Sequence, residues 1–138
     1  MSSGSNDQRF IGTTALKECE NNFWELLADI GYENAYYKIT CKSTFKTDGA
    51  SIPKILWSLV GSPLEDDLLM PAIIHDGLYT LMLLSREKCD KLLLEMLKYN
   101  GVSDIRADLI YSAVRTFGGS HWSKDTSASA SLISIELK

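Results

Sequence analysis

Basic charge is in short supply in this chain. Lysine and arginine together number 14 against 18 aspartates and glutamates, a formal net charge of −4 at pH 7. No positive stripe is left to neutralise a phosphate backbone, which argues against a nucleic-acid partner. Long apolar runs are missing as well, because charged or polar residues interrupt every hydrophobic segment short of the roughly 20 residues that a bilayer-spanning helix needs. No transmembrane segment is expected, and the opening residues MSSGSNDQRF lack the apolar centre of a secretory signal. The three cysteines, Cys19, Cys41 and Cys89, are an odd count without metal-ligand spacing. They argue against a disulfide framework and read as reduced thiols in a cytosol, Cys89 on a helix. Histidine occurs only at His75 and His121. An HD-type metal phosphohydrolase or a zinc peptidase needs more His and Asp ligands, spread over several helices, so neither reading survives.

What is present suits one compact domain: 45% of the 138 residues are hydrophobic and 23% charged, an ordinary globular balance. Residues 1–12 are polar and bear glycine and serine, and read as a flexible tail. From Thr13 to Thr47 the segments TALKE, FWELLADI, YYKIT and STFKT are short and rich in aromatic and β-branched residues. Glu20-Asn21-Asn22 and Gly31 supply turn material, and the pattern predicts a small antiparallel sheet or a pair of hairpins. After Pro53 the period becomes helical. Ile55, Leu56, Trp57, Leu59 and Val60 suit a brief apolar turn or short helix that Gly61, Ser62 and Pro63 end. A long helix follows, beginning at Pro71 or after an acidic turn at Glu65, Asp66 and Asp67, and it is apolar nearly all round, as a central helix is. Ser85 is the expected N-cap of a second helix stopped by Gly101, and Ser103 or Asp104 opens a third that ends at Gly118-Gly119. Residues 13–122 then form a single α+β domain. Residues 123–138 form a serine-rich linker and an alternating Ile133, Ile135, Leu137 suited to an edge strand.

Into the central helix the stretch PAIIHDGLY, residues 71–79, sets two ionisable groups side by side. Burying either without partners costs several kcal/mol. On a helix His75 and Asp76 point about 100° apart, so they serve two directions, while Tyr79 lies one turn from His75. In the next helix Asp90 heads the apolar line Leu93, Leu94, Leu97 and is a buried carboxylate by pattern. Two antiparallel helices joined near Leu84 and Ser85 bring it opposite His75. A carboxylate behind an imidazole fixes its tautomer and stabilises its protonated form, as a general base acting on water requires. Asp76, pointing elsewhere, is left for a cation, and Asp48 with Gly49 in the loop TDGASIP offers further hard oxygen ligands, of a kind that suits calcium better than zinc.

The set Asp48-Gly49-Ala50-Ser51-Ile52-Pro53, His75-Asp76 with Tyr79, Ser85-Arg86 with Asp90, and Arg115 with Phe117-Gly118 resembles an uncharacterised family of phage and prophage proteins marked by DGASIP and HDxLY. The resemblance runs from about Phe10 to Trp122. The same core pattern is similar to phospholipase A2, especially its compact prokaryotic and viral forms. That likeness implies an α+β fold whose phospholipase A2-like helical core holds two antiparallel helices. By motif, it makes His75 the general base, Asp90 its orienting carboxylate and Tyr79 a residue that steadies Asp90 or the helix pair. Asp76 becomes the main Ca²⁺ ligand, with Asp48 and the carbonyls around Gly49 completing the site. The partner implied is a phospholipid or membrane surface, and the location a host cytoplasm or a virion. Unlike the secreted enzymes, this chain has three cysteines and only Gly49 in the loop.

Plainer readings stand beside these. His75 and Asp90 can be a buried pair that fixes helix register, Asp48 a turn residue, Ser51 a helix cap, Arg86 a surface or capping residue and Trp57 a core side chain. Three functions remain open: a calcium-dependent phage phospholipase A2-like esterase, a non-enzymatic virion or tail-associated module, and an accessory protein that binds a host factor, using its C-terminal strand to pair with a sheet edge.

Overall fold

The computed structural model describes residues 8–47, 66–122 and 128–138. The expected DGASIP loop, Ser51 and the short apolar turn around Trp57 lie outside them. Seven strands are described: β1 (Arg9–Ile11), β2 (Leu16–Glu18), β3 (Trp24–Leu26), β4 (Ile30–Glu33), β5 (Tyr37–Cys41), β6 (Lys46–Thr47) and β7 (Ile133–Leu137). Among the described residues three helices stand between β6 and β7: α1 (Asp66–Leu81), α2 (Arg86–Tyr99) and α3 (Asp104–Phe117). The fold is α+β, an N-terminal antiparallel β region followed by a helical one, and the third helix is the one that Ser103 opens.

The described strands form two antiparallel sheets. The four-stranded sheet has the order β1-β4-β5-β7 and the three-stranded sheet the order β2-β3-β6. The division falls inside FWELLADI. Leu26 pairs with Leu16 in the smaller sheet, Ile30 pairs with Cys41 in the larger, and between them Asp29 turns the chain by accepting the Ser43 N–H at 2.8 Å. Order also begins earlier than Thr13. Arg9–Ile11 pair with β4, and the ring of Phe10 packs 5.2 Å from Tyr32 and 5.7 Å from Tyr99. Gly31 is a strand residue rather than a turn, paired with Ile11 on one side and Thr40 on the other, and a Cβ there would stand 2.5 Å from the carbonyl oxygen of Ile39. At the opposite edge β7 pairs with β5, the place its alternation predicts.

Helix ends follow local chemistry. Ser85 caps α2 by accepting the Lys88 N–H, Ser103 caps α3 by accepting the Arg106 N–H, and Gly101 takes the positive φ of +91° that ends α2. α1 is the exception, since it starts at Asp66 and carries Pro71 inside. Proline has no N–H for the Asp67 carbonyl one turn back. The side-chain amide of Asn100 supplies the missing donor at 2.8 Å, and Arg106 pairs with the Asp67 carboxylate at 2.5 Å. Contacts from distant residues thus extend α1 by more than a turn.

α1 is the central helix, with Ala72, Ile73, Ile74, Leu78 and Tyr79 all buried. It lies between α2 and the larger sheet. Gly77 is where it meets the sheet most closely, a Cβ there falling 2.9 Å from both Cys41 Sγ and Ile133 Cδ1.

Candidate functional site

His75 and Tyr79 stand one turn apart on α1, their ring centroids 4.4 Å from each other. The chain reverses through Met82, whose φ is +54°, and α2 returns alongside, carrying Asp90 to the same level. Asp90 Oδ1 lies 2.8 Å from His75 Nε2 and accepts the Tyr79 hydroxyl at 2.6 Å. All three side chains are buried, His75 and Asp90 completely.

The other carboxylate oxygen faces arginines. Arg115, from the last turn of α3, donates to Asp90 Oδ2 at 2.7 Å, and Arg86 Nη1 stands 3.6 Å from it. Arg86 chiefly caps α3, donating to the carbonyls of Val114 and Arg115 at 3.1 Å each. The capping role expected for Arg86 is therefore present, joined to a charge role at Asp90 that the sequence does not announce. Its one signal is the i,i+4 spacing of Arg86 and Asp90; nothing local points from Arg115 to Asp90.

Burial alone would push the Asp90 carboxyl up, but hydrogen bonds from His75 and Tyr79, with Arg115 behind them, outweigh it and hold the group below its ordinary value. An ionised carboxylate only accepts, so His75 Nε2 is the donor of the shared proton. Nδ1 is left for other work. It is buried and has no hydrogen-bond partner among the described residues. Burial, then the hydrogen bond to Asp90, pushes the Tyr79 phenol above its ordinary value, so it stays a donor. Burial also pushes the thiols of Cys41 and Cys89 up to about 12, which removes both as nucleophiles. Trp122 closes the site from the chain after α3, edge-on to Tyr79 at 5.0 Å.

These shifts set an acid limit. The Asp90 carboxyl is held below its ordinary 3.8 in the folded chain, so at acid pH the unfolded chain takes the proton first. Its stabilisation is complete above that ordinary value and is lost as pH falls through the lower folded value. Urea midpoints measured from neutral pH into acid should fall along this limb, and the limb should flatten in Asp90→Asn. Glu33, held at about 2 by hydrogen bonds from Arg9 and Lys138, adds to the wild-type slope, so the difference between the two proteins is the quantity to read.

Asp76 points away from this network, as the 100° step predicts. It accepts the Thr47 hydroxyl at the end of β6, and its carbonyl accepts from Thr80. Asp48 and Gly49 follow Thr47 in the sequence but lie outside the described residues. Among those described, no group of three or more His, Cys, Asp or Glu side chains converges to hold a metal ion. Asp76 and Thr47 bring oxygen donors of the type Ca²⁺ takes. Of the predicted residues, His75, Tyr79 and Asp90 come together, and Asp76 stands beside them facing β6.

A family model described as "Protein of unknown function (DUF1353)" matches residues 24–114. The chain belongs to this family. The DUF1353 match takes in His75, Asp76, Tyr79, Arg86 and Asp90 and stops one residue short of Arg115. Two curated proteins of Sinorhizobium fredii are similar to the chain. "Uncharacterized protein y4iH" is 37% identical over 95 residues, 67% of this chain and 39% of that protein. "Uncharacterized protein y4jT" is 29% identical over 104 residues, 75% of this chain and 31% of that protein. The chain thus spans well under half the length of either relative. No solved structure matches it. Among the described residues, no helix is long and apolar enough to cross a membrane.

Proposed function

We propose that this DUF1353 protein is a phage- or prophage-encoded lipid esterase of the phospholipase A2 type, with His75 as the general base. The observation that carries the reading is the division of labour on one imidazole: Nε2 is committed to Asp90, while Nδ1 is buried and unpartnered among the described residues. A water at Nδ1 gives up a proton to it as its oxygen bonds to the ester carbonyl carbon. The positive imidazole that results is stabilised by Asp90. When the tetrahedral intermediate collapses, the C–O bond of the ester breaks and the leaving alkoxide takes the proton, giving a fatty acid and a lysophospholipid. Tyr79 and Asp90 hold the ring throughout and take no part in bond making. Asp76 would be a Ca²⁺ ligand together with Asp48 and the Gly49 carbonyl, and the ion when bound supplies charge that stabilises the developing oxyanion.

A second reading has an observation of its own. His75 is fully buried and Asp90 is countered by Arg115, which also describes a structural pair in a non-enzymatic virion, tail-associated or host-factor-binding protein. Calcium decides between them. On the esterase reading, calorimetry shows Ca²⁺ binding to the wild type, sharply weakened in Asp76→Asn, and turnover of phosphatidylcholine vesicles stops with EGTA. No heat of binding and no turnover, with stable incorporation into particles, is the outcome of the second reading.

A further inference from the structure

The Asp90 carboxylate has two oxygens with different clients, and the difference assigns a role to a residue on the third helix. Oδ1 serves His75 and Tyr79 together; Oδ2 is held by Arg115 at 2.7 Å. We infer that Arg115 is a positioning residue: by fixing Oδ2 it sets the plane of the Asp90 carboxylate, and through Oδ1 the plane and tautomer of the His75 imidazole.

The reasoning is geometric. A carboxylate on a helix turns freely about its last side-chain bond unless both ends are held. Two donors on Oδ1 pull from the α1 side, and neither prevents rotation about the axis through Oδ1. Arg115 is the opposing hold, and the 3.6 Å from Arg86 to Oδ2 is too long for a second one. Arg86 instead fixes the backbone that carries Arg115, through its bonds to Val114 O and Arg115 O. Gly118 completes the arrangement. A Cβ there would stand 3.0 Å from the Tyr79 hydroxyl and 3.3 Å from Arg86 Nη1, so a side chain at 118 would press on both and shift them by a few tenths of an ångström. Three helices thus meet on one carboxylate, and one of its two oxygens is held from α3.

The consequence for rate rests on the esterase reading; the consequence for the imidazole does not. The test is NMR of the full chain labelled with ¹⁵N-histidine, His121 being assigned through His121→Gln. In the wild type the Nε2–H of His75 should give a downfield, exchange-protected imidazole signal. In Arg115→Met that signal should be lost while near-ultraviolet circular dichroism remains folded, and in Arg115→Lys, which keeps a cationic donor, it should persist. Hydrolysis, where the wild type shows it, should fall on the order of a hundredfold in Arg115→Met, as misplacement of a catalytic group by about 1 Å does, and recover in the lysine variant. A folded Arg115→Met with the wild-type imidazole signal overturns the inference. If that variant does not fold, Arg115→Ala, which also leaves Oδ2 without this donor, decides on the same signal: its loss supports the inference and its persistence overturns it. An altered signal in a protein without lipid turnover supports the positioning role and counts against the esterase. Turnover with signal and rate unchanged in the variant does the reverse.

Discussion

Asp90→Ala is expected to cost about 3–5 kcal/mol of stability, the usual penalty for removing one partner of a buried ionic cluster. One truncation deprives His75 Nε2, the Tyr79 hydroxyl and Arg115 of their acceptor at once, and it strands them next to Arg86. Against a total of about 5–15 kcal/mol for a domain, that is a large fraction of the stability, and at the low end of the range it leaves almost none. Urea unfolding reads it directly, as a large fall in midpoint. Asp90→Asn should cost less, since its amide oxygen still accepts from Tyr79 or His75 while its NH₂ group meets Arg115. An unfolding free energy of Asp90→Ala within about 0.5 kcal/mol of wild type, the range of surface substitutions, would show that the carboxylate does not organise the three helices.

The second large effect is on chemistry. On the proposed esterase reading, His75→Gln should lower ester hydrolysis by about 10²–10⁴-fold, the range ascribed to a positioned general base. Glutamine fills part of the volume and can still donate to Asp90, so most of the packing against Tyr79 survives. Rate and stability therefore separate: the glutamine variant should unfold near the wild-type midpoint while its turnover collapses. Loss of stability without a rate to lose would instead mark His75 as a register-fixing core residue.

Much of this site was legible before any coordinates because its signals are local. The placement of His75 against Asp90 follows from one helical line, Leu93, Leu94 and Leu97, that had to face inward and took Asp90 with it. The caps at Ser85 and Ser103 follow from side-chain oxygens reaching N–H groups three residues on. Other features depend on partners far along the chain. Pro71 reads as a helix start until Asn100, the residue just past the end of α2, supplies its missing donor. Arg9–Ile11 read as a tail until Phe10 finds Tyr32 and Tyr99, and the choice between one small sheet and a pair of hairpins stays open until Asp29 accepts the Ser43 N–H where the two sheets divide. Arg115 lies 25 residues from Asp90, beyond any helical period, so only the packing of α3 on α2 shows them paired. Family membership adds that the core of the site falls within a recognised unit of 24–114.

The central claim is that a water held at His75 Nδ1 becomes part of the product. Phosphatidylcholine vesicles incubated with the full chain in oxygen-18 water, with mass spectrometry of the products, test it most directly. The account predicts one heavy oxygen in the carboxyl group of the released fatty acid and none in the lysophospholipid, with release abolished in His75→Gln. Absence of fatty acid from the wild type with and without Ca²⁺, or equal labelled release by His75→Gln, would contradict it.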